Sequence, residues 1–232
     1  MSRGTPSAGN LYTKMNINDS SRIACDPASP QARSQRRAAL IAQRQARSAS
    51  RSDTQISALF NHLCDAVGEV RGKTLGLYWP VRGEPPLGAL PSQWQAQGAQ
   101  LALPVVDGPG QALRFVQWRV DAPTVPGAYG IPRPACDLAA RPDLLLVPCL
   151  GFDLRGYRLG YGGGFYDRTL AALAAQAGGK PIALGVAWDE GLLDDFEPLP
   201  TDIALDAVVT PSGLTVPGQA GQSLQARPGS VV

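Results

Sequence analysis

The segment RLGYGGGFYDR, residues 158–168, combines glycines, arginines and a carboxylate in a way that suits anion binding. Glycines hold four of the five positions 160–164, the glycine loop, so several backbone N–H groups can converge on one ligand. Arg158 and Arg168 flank the loop, and a guanidinium can pair with two phosphate oxygens. Asp167 suits such a site only if a cation lies between it and the phosphate, which is the usual arrangement for Mg²⁺.

An ordinary turn is the alternative for the glycine loop. The segment is not a P-loop, because no Gly-Lys-Ser/Thr follows, and it is not G-x-G-x-x-G, because Phe165 stands at the last glycine position. The apolar run at 143–148 predicts a buried strand before the loop, and a helix is predicted after it. Ligands of open α/β sheets bind at this end of the strands, next to helix N-termini. From the residues alone, a phosphate site and a structural turn both stay open.

The chain has one histidine, His62, and four scattered cysteines without a Cys-x-x-Cys pair. This composition excludes a His-based triad or a multi-His metal site, and it argues against a zinc site or a disulfide framework. It favours the reducing cytoplasm. Chemistry must then use carboxylates, arginines, tyrosines and backbone amides. No run of 18 apolar residues and no apolar signal segment occurs, so neither a membrane span nor secretion is expected.

Charge is unevenly distributed along the chain. Residues 1–51 carry nine Lys and Arg against two acids, and the rest carries twelve against seventeen. Residues 1–28 are rich in Ser, Gly, Asn and Pro without hydrophobic periodicity, so a disordered extension or an organelle-import peptide is predicted. Nucleic-acid binding through this basic part is not expected, because it has few aromatic residues and no RNA-binding signature.

Elements that could position the loop follow from local patterns. Ser29-Pro30 predicts a helix start, and on the helix that runs to Ser48 the side chains of Arg33, Arg37 and Arg44 fall on one narrow stripe. A second helix is predicted from the Ser52-Asp53 cap, and a third near Pro86. Strands are predicted at 75–80, 101–104, 113–118, 143–148, 182–188 and 206–210.

Alternation of strands and helices predicts an α/β layered sandwich, a single domain with a mostly parallel sheet flanked by helices. Its expected bounds are residues 29–211. Residues 1–28 precede it as the extension, and residues 212–232, rich in Gly, Pro, Gln and Ser, follow as a flexible tail.

The run LLLVPCLGFDLRGYRLGYGGGFYDRTL resembles the signature block of the 5-formyltetrahydrofolate cyclo-ligase family, also called methenyltetrahydrofolate synthetase. That pattern is an apolar strand ending in Pro, then Phe-Asp, then G-x-R-L-G-x-G-x-G-x-Y-D-R. The matches include Pro148, Phe152-Asp153, Gly156 and the Tyr-Asp-Arg at 166–168. Weaker similarity extends from about residue 31 to 210. The resemblance implies an ATP-dependent ligase that converts 5-formyltetrahydrofolate to 5,10-methenyltetrahydrofolate, with release of ADP and phosphate.

The resemblance also implies roles for individual residues. The catalytic residues would be Arg158, Tyr166 and Asp167, and the Mg²⁺ carboxylates would be Asp167 and Asp202. The folate would contact Trp79, Glu84, Tyr161 and Phe165. The ATP-binding residues would be Arg33, Arg37, Arg158, Leu159, Gly160, Tyr161, Gly162, Gly163, Gly164, Phe165 and Tyr166. The implied partners are small molecules, ATP and a reduced folate, and a monomer is expected.

Three positions depart from the family pattern. Arg33 stands where Lys is usual, Arg133 where Glu is frequent, and Gly191 where Gln is frequent. Arg and Lys differ in how they bind phosphate. Two alternatives therefore stay open beside the cyclo-ligase: an ATP-dependent enzyme of the same fold with another carbonyl or formyl substrate, and a non-catalytic nucleotide- or RNA-binding protein.

Overall fold

A seven-stranded sheet carries the fold in a computed structural model that describes Met1 and residues 28–218. The helices are α1 (Pro30–Ser48), α2 (Asp53–Val67), α3 (Leu90–Ala96) and α4 (Phe165–Ala174). The strands are β1 (Thr74–Gly76), β2 (Gln100–Val105), β3 (Arg114–Trp118), β4 (Thr124–Pro126), β5 (Pro132–Pro134), β6 (Leu144–Pro148), β7 (Gly151–Phe152), β8 (Arg158–Leu159), β9 (Ile182–Val186), β10 (Ala207–Thr210) and β11 (Gly213–Thr215).

The main sheet has the strand order β11-β10-β9-β6-β1-β2-β3. The five inner strands are parallel, whereas β3 and β11 pair antiparallel at the two edges. Two short antiparallel pairs, β4 with β5 and β7 with β8, lie outside this sheet. The predicted α/β class with a mostly parallel sheet is confirmed.

Both faces of the sheet are buried, and β6 shows why its sequence is continuously apolar. Leu144 and Leu146 pack into the core cluster that also contains Leu59 and Leu63 of α2. Leu145 and Val147 point to the opposite cluster, together with Leu170 of α4. Successive side chains of a strand alternate between faces, so a central strand covered on both sides needs apolar residues at every position.

The first helix is held by polar contacts and not by an apolar face. Its N-cap is Ser29, whose side chain accepts a hydrogen bond from the N–H of Ala32, and Pro30 occupies the first turn. The buried residues of α1 are Arg33 and Arg44. They reach the segments that follow β6 and precede β10, so α1 crosses the carboxyl edge of the parallel strands.

Several local predictions differ from the structure. The strand expected at 75–80 ends at Gly76, and the helix expected near Pro86 begins at Leu90. A hairpin, β4–β5, forms in a region for which no strand was predicted. A second hairpin, β7–β8, lies between β6 and the glycine loop. Strand pairs of two or three residues depend on partners elsewhere in the fold, so local patterns do not reveal them.

The expected C-terminal tail begins with an ordered strand, because residues 213–215 pair with β10 at the sheet edge. The remainder of the tail beyond residue 218, and the extension at residues 2–27, lie outside the described residues. Within residues 28–218, no helix is both long and apolar enough to cross a membrane.

Candidate active site

Arg33, in the first half of α1, is buried against the segment that precedes β10. Its Nη2 donates to Asp202 Oδ2 at 3.0 Å and its Nη1 to the carbonyl of Glu197 at 3.1 Å, while the guanidinium lies over Phe196. Its Nε is buried and has no hydrogen-bond partner within the described chain. Arg33 is therefore anchored by protein oxygens on the side of the predicted metal ligands.

Arg37, one helical turn later, reaches the glycine loop directly. Its Nε donates to the carbonyl of Gly160 at 3.0 Å, and its two terminal nitrogens donate no hydrogen bond within residues 28–218. Burial, and next the positive charge of Arg33, lower the pKa of Arg37, and the negative charge of Asp202 opposes that decrease. Of the two predicted nucleotide arginines, Arg37 is the one with donors available for a phosphate.

The glycine loop has a backbone that ordinary residues rarely adopt. Gly162 has φ +92° and Gly164, the N-cap of α4, has φ +63°. A Cβ at Gly162 would lie 3.3 Å from Arg37 Cζ, so the loop and the guanidinium pack closely. Gly160 differs, because its φ is unremarkable and a Cβ there would meet nothing within 4 Å. The surface over Gly160, next to Arg37 and the start of α4, is therefore open to a ligand.

Gly160→Ala tests whether a ligand approaches the backbone of the glycine loop without disturbing how the loop folds. The substitution meets no protein atom, so the melting temperature should stay unchanged, whereas KM for ATP should rise about tenfold if phosphates contact this backbone. Gly162→Ala is the comparison, because its positive φ and its contact with Arg37 should lower the melting temperature as well. An unaltered KM for ATP in Gly160→Ala would place the nucleotide elsewhere.

The buried Arg158 forms an ion pair with the partly buried Asp167. Arg158 Nη2 lies 3.0 Å from Asp167 Oδ1, and Arg158 Nη1 donates to the carbonyl of Ile203. The N–H of Ile203 donates in turn to Asp167 Oδ1 at 3.1 Å. Arg168 donates to the carbonyls of Gln111 and Gly163. Both arginines that flank the loop thus contact protein oxygens. In this arrangement Arg158 orients Asp167.

The two predicted metal ligands, Asp167 and Asp202, are distant in the sequence but are connected through one backbone contact. Asp167 bonds the backbone of Ile203, the residue after Asp202. Each carboxylate uses one oxygen for its arginine and for a backbone N–H, and the second oxygen of each accepts no hydrogen bond among the described residues. No group of three His, Cys, Asp or Glu side chains suited to a metal occurs in this part of the chain. The pair fits Mg²⁺, which takes one or two carboxylates, water and phosphate oxygens.

Glu84 is buried next to Tyr161 of the glycine loop. Its Oε2 accepts a hydrogen bond from the N–H of Val81 at 2.9 Å. Burial is the main reason why the pKa of Glu84 is raised above its ordinary value. The pKa values of the Tyr161 and Tyr166 hydroxyls are also raised, mainly by burial and next by the Glu84 charge. A buried carboxylate among tyrosines can accept two donors from a ligand.

Trp79 lies apart from this cluster. Its ring packs edge-on against Trp118 with centroids 6.2 Å apart, and it lines an apolar cavity of about 200 Å³ with Tyr78, Leu87 and other residues. That cavity is lined by neither Glu84 nor the glycine loop. The structure therefore brings Glu84 and Tyr161 of the loop together, and it does not show Trp79 in contact with either.

Of the departures from the family pattern, Arg133 and Gly191 lie in different surroundings. Arg133 is on β5 in a polar cleft of about 330 Å³, where its Nη1 is 4.0 Å from Asp137. Gly191 is buried, and a Cβ there would lie 3.1 Å from the carbonyl oxygen of Leu150. The backbone at residue 191 thus packs closely, and a larger side chain requires local rearrangement.

Tyr129 is a candidate residue that the sequence did not single out. It is 69% exposed, has φ +58°, and its ring contacts the Phe165 ring edge-on with centroids 6.1 Å apart. A positive φ is uncommon for tyrosine and often accompanies a functional constraint. The only local signal in the sequence is an aromatic residue among glycines and prolines.

The chain is similar to known proteins of one family. The model of the 5-formyltetrahydrofolate cyclo-ligase family matches residues 29–211. A protein of Mycolicibacterium smegmatis named 5-formyltetrahydrofolate cyclo-ligase is 34% identical over 191 residues, which cover 79% of this chain and 95% of that protein. The Escherichia coli K12 protein of the same name is 34% identical over 150 residues, covering 62% and 80% of the two chains.

Solved structures show the same fold. The NMR structure of Aquifex aeolicus 5,10-methenyltetrahydrofolate synthetase superposes with a TM-score of 0.59 and 25% identity, covering 82% of this chain and 96% of that one. The matched residues include α1, the glycine loop and the strands that position them. The chain therefore belongs to the 5-formyltetrahydrofolate cyclo-ligase family of enzymes.

Proposed function

We propose that this enzyme joins N5 and N10 of 5-formyltetrahydrofolate through the formyl carbon at the expense of ATP, giving 5,10-methenyltetrahydrofolate, ADP and phosphate. The observation that carries the proposal is that two unlike groups adjoin the glycine loop. The carbonyl of Gly160 accepts from Arg37, whose terminal nitrogens are available to phosphate. The Tyr161 side chain neighbours Glu84, a buried carboxylate suited to pterin N–H donors.

The chemistry needs no histidine or cysteine side chain. The formyl oxygen attacks the γ-phosphorus and ADP leaves; N10 then attacks the activated formyl carbon, loses its proton, and phosphate departs with the formyl oxygen. Phosphoryl transfer of this kind depends mostly on positioning and on neutralising charge. Arg37 and the loop N–H groups would hold the phosphates, and Glu84 would fix the pterin so that the formyl oxygen faces them.

Arg158, Asp167 and Asp202 would provide the cation site of this reaction. Arg158 orients Asp167 through their 3.0 Å ion pair, and Arg33 does the same for Asp202. Each carboxylate keeps one oxygen for a cation. A divalent ion bound there would offset the charge of the ATP phosphates. The described cysteines Cys64, Cys136 and Cys149 are free thiols, which supports a cytoplasmic setting.

The direct test uses purified full-length protein with Mg·ATP and 5-formyltetrahydrofolate. Formation of the methenyl product is followed by its absorbance, and ADP is quantified in the same samples. Product that appears only with ATP, at one ADP per methenyl group, supports the proposal. Folded protein that consumes ATP or binds it without binding the folate would instead favour another substrate, and a protein inert to both would contradict an enzymatic role.

Tyr129 should contribute to folate binding from the exposed side of the loop. Replacing Tyr129 by Ala removes the ring next to Phe165, and loss of one aromatic contact should raise KM for the folate about tenfold. KM for ATP and the melting temperature should change little because the side chain is exposed. Leu138→Ala, another exposed apolar side chain, is the control and should leave both KM values unchanged. Equal KM values for the folate in both variants would exclude Tyr129 from the site.

A further inference from the structure

Arg44 is a buried arginine for which the nucleotide and metal sites give no reason. It lies on α1, two helical turns after Arg37, and is 3% exposed. Burying a guanidinium is costly unless its donors are satisfied and its charge is balanced. The groups that surround Arg44 therefore indicate what it does.

The guanidinium of Arg44 joins two separate segments. Its Nη1 donates to the Tyr161 hydroxyl in the glycine loop at 3.1 Å. Its Nη2 donates to the carbonyl of Cys149, immediately after β6. A guanidinium presents its donors in a rigid, planar fork, so Arg44 holds these two acceptors in a more fixed arrangement than the flexible side chain of a lysine would.

The aliphatic part of Arg44 packs on the loop that carries Glu84. A Cβ at Gly83 would lie 3.3 Å from Arg44 Cγ, and Gly83 has φ +73°, which favours glycine. Trp188 Nε1 donates to the carbonyl of Gly83 at 2.8 Å and holds the loop from the opposite direction. Gly83 is thus enclosed by a side chain of α1 and a side chain that follows β9.

Tyr161 completes a relay from Arg44 to Glu84. A tyrosine hydroxyl donates one hydrogen bond and can accept others. Since Arg44 has no acceptor, the hydroxyl accepts from Arg44, and its own proton stays available to the neighbouring Glu84 carboxylate, whose charge raises the pKa of Tyr161 in addition to burial. Arg44 therefore acts on Glu84 twice, through the Tyr161 hydroxyl and through the backbone of Gly83.

We propose that Arg44 is a positioning residue that holds Glu84 correctly oriented for the folate, and that it thereby connects the helix that bears Arg37 with the folate side of the site. This inference rests on the proposed function. It assigns to Arg44 an effect on folate binding without a contact with either substrate.

The charged and titratable groups that face Glu84 come from every element packed around it. The cations are Arg44 of α1 and Arg82 of the same loop. The others are Tyr78 beyond β1, Cys149 after β6, and Tyr161 and Tyr166. Burial raises the pKa of Glu84, whereas the Tyr161 hydrogen bond and the Arg44 charge oppose that rise. Loss of either should move the acidic limb of kcat/KM for the folate to higher pH.

The test compares wild type, Arg44→Met, Tyr161→Phe and the double variant. Arg44→Met should raise KM for 5-formyltetrahydrofolate about tenfold, with kcat and KM for ATP nearly unchanged, and should shift the acidic limb upward. Tyr161→Phe should shift it in the same direction. The double variant should lose less than the two single losses combined, because both act through one relay. Arg36→Met is the matched control, since Arg36 lies on the same helix but pairs with the exposed Asp195.

Outcomes that contradict the inference are distinct from failure of the proposed function. Suppose that the wild type forms the methenyl product. The role of Arg44 alone is then overturned if the losses of Arg44→Met and Tyr161→Phe add up in the double variant, or if the acidic limb does not move in Arg44→Met. If Arg44→Met does not fold, the half-exposed Tyr161→Phe decides, and an unmoved limb there overturns the relay. Wild-type protein that neither binds nor converts the folate in calorimetry and absorbance assays overturns both.

Discussion

Asp167→Asn should lower kcat for methenyl formation about 10³-fold while the protein stays folded. Asparagine keeps an oxygen for the N–H of Ile203, so the local backbone can be retained. It loses the negative charge that faces Arg158 and, in the proposed site, the cation. Metal-assisted charge stabilisation is worth several kcal/mol in the transition state, and about 4 kcal/mol corresponds to about 10³-fold in rate.

A magnesium titration distinguishes a metal ligand from a merely structural acid. In wild type, activity should rise with Mg²⁺ and saturate; in Asp167→Asn, the residual activity should depend only weakly on it. The melting temperature is expected to fall, because Arg158 is buried and loses its partner. Asp195→Asn is the control, as Asp195 is exposed and pairs with Arg36. Near-normal turnover in folded Asp167→Asn would remove Asp167 from the metal assignment.

Glu84→Gln is expected to raise KM for 5-formyltetrahydrofolate about 100-fold with a small effect on KM for ATP. A carboxylate that accepts two donors from the pterin gains more than a neutral amide, and losing about 3 kcal/mol of charge-assisted hydrogen bonding corresponds to about 10²-fold. The wild-type kcat/KM should also fall as pH decreases through the raised pKa of Glu84, and this acidic limb should be absent from the variant.

Glu84→Gln should weaken folate binding but raise the stability of the folded protein near neutral pH. A carboxyl whose pKa is higher in the folded than in the unfolded chain contributes stability below its unfolded pKa, and that contribution is lost as pH rises through the folded pKa. Glutamine remains neutral throughout. The melting temperature of Glu84→Gln should therefore match that of wild type in acid and exceed it near neutral pH.

Glu69→Gln serves as the control for both measurements, because Glu69 is exposed and caps only the N–H of Arg71. It should leave KM and the melting temperature unchanged at every pH. A variant Glu84→Gln that is less stable than wild type at neutral pH, with an unaltered KM, would show that Glu84 serves the fold and not the folate.

The arrangement of α1 shows how this family member builds its site. The helix buries arginines where most helices bury leucines, and each of three arginines on one stripe reaches a different segment. Arg33 reaches Asp202, Arg37 reaches the glycine loop, and Arg44 reaches Tyr161 and the end of β6. Displacing α1 should therefore disturb the proposed cation, nucleotide and folate sides together.

The helix stripe, the buried strands and the glycine loop were all predictable from the sequence, because each depends on neighbours within a few residues. Spacings of four and eleven place Arg33, Arg37 and Arg44 on one side of any α-helix. Continuous apolar residues mark β6 as covered on both faces. The short hairpins β4–β5 and β7–β8 were not predictable, since their pairing depends on tertiary packing.

Sequence alone thus determined the α/β class, the family signature, and the types of residue that the chemistry can use. Only the tertiary structure decided which groups meet: Arg158 with Asp167, Arg44 with Tyr161, and Tyr129 with Phe165. The structure also distinguished the two arginines of α1. The terminal nitrogens of Arg37 stay available as donors, whereas those of Arg33 are bound by protein oxygens. Periodicity and glycine conformation are local properties of a chain, whereas an ion pair or a relay across more than a hundred residues exists only when folding brings its members together.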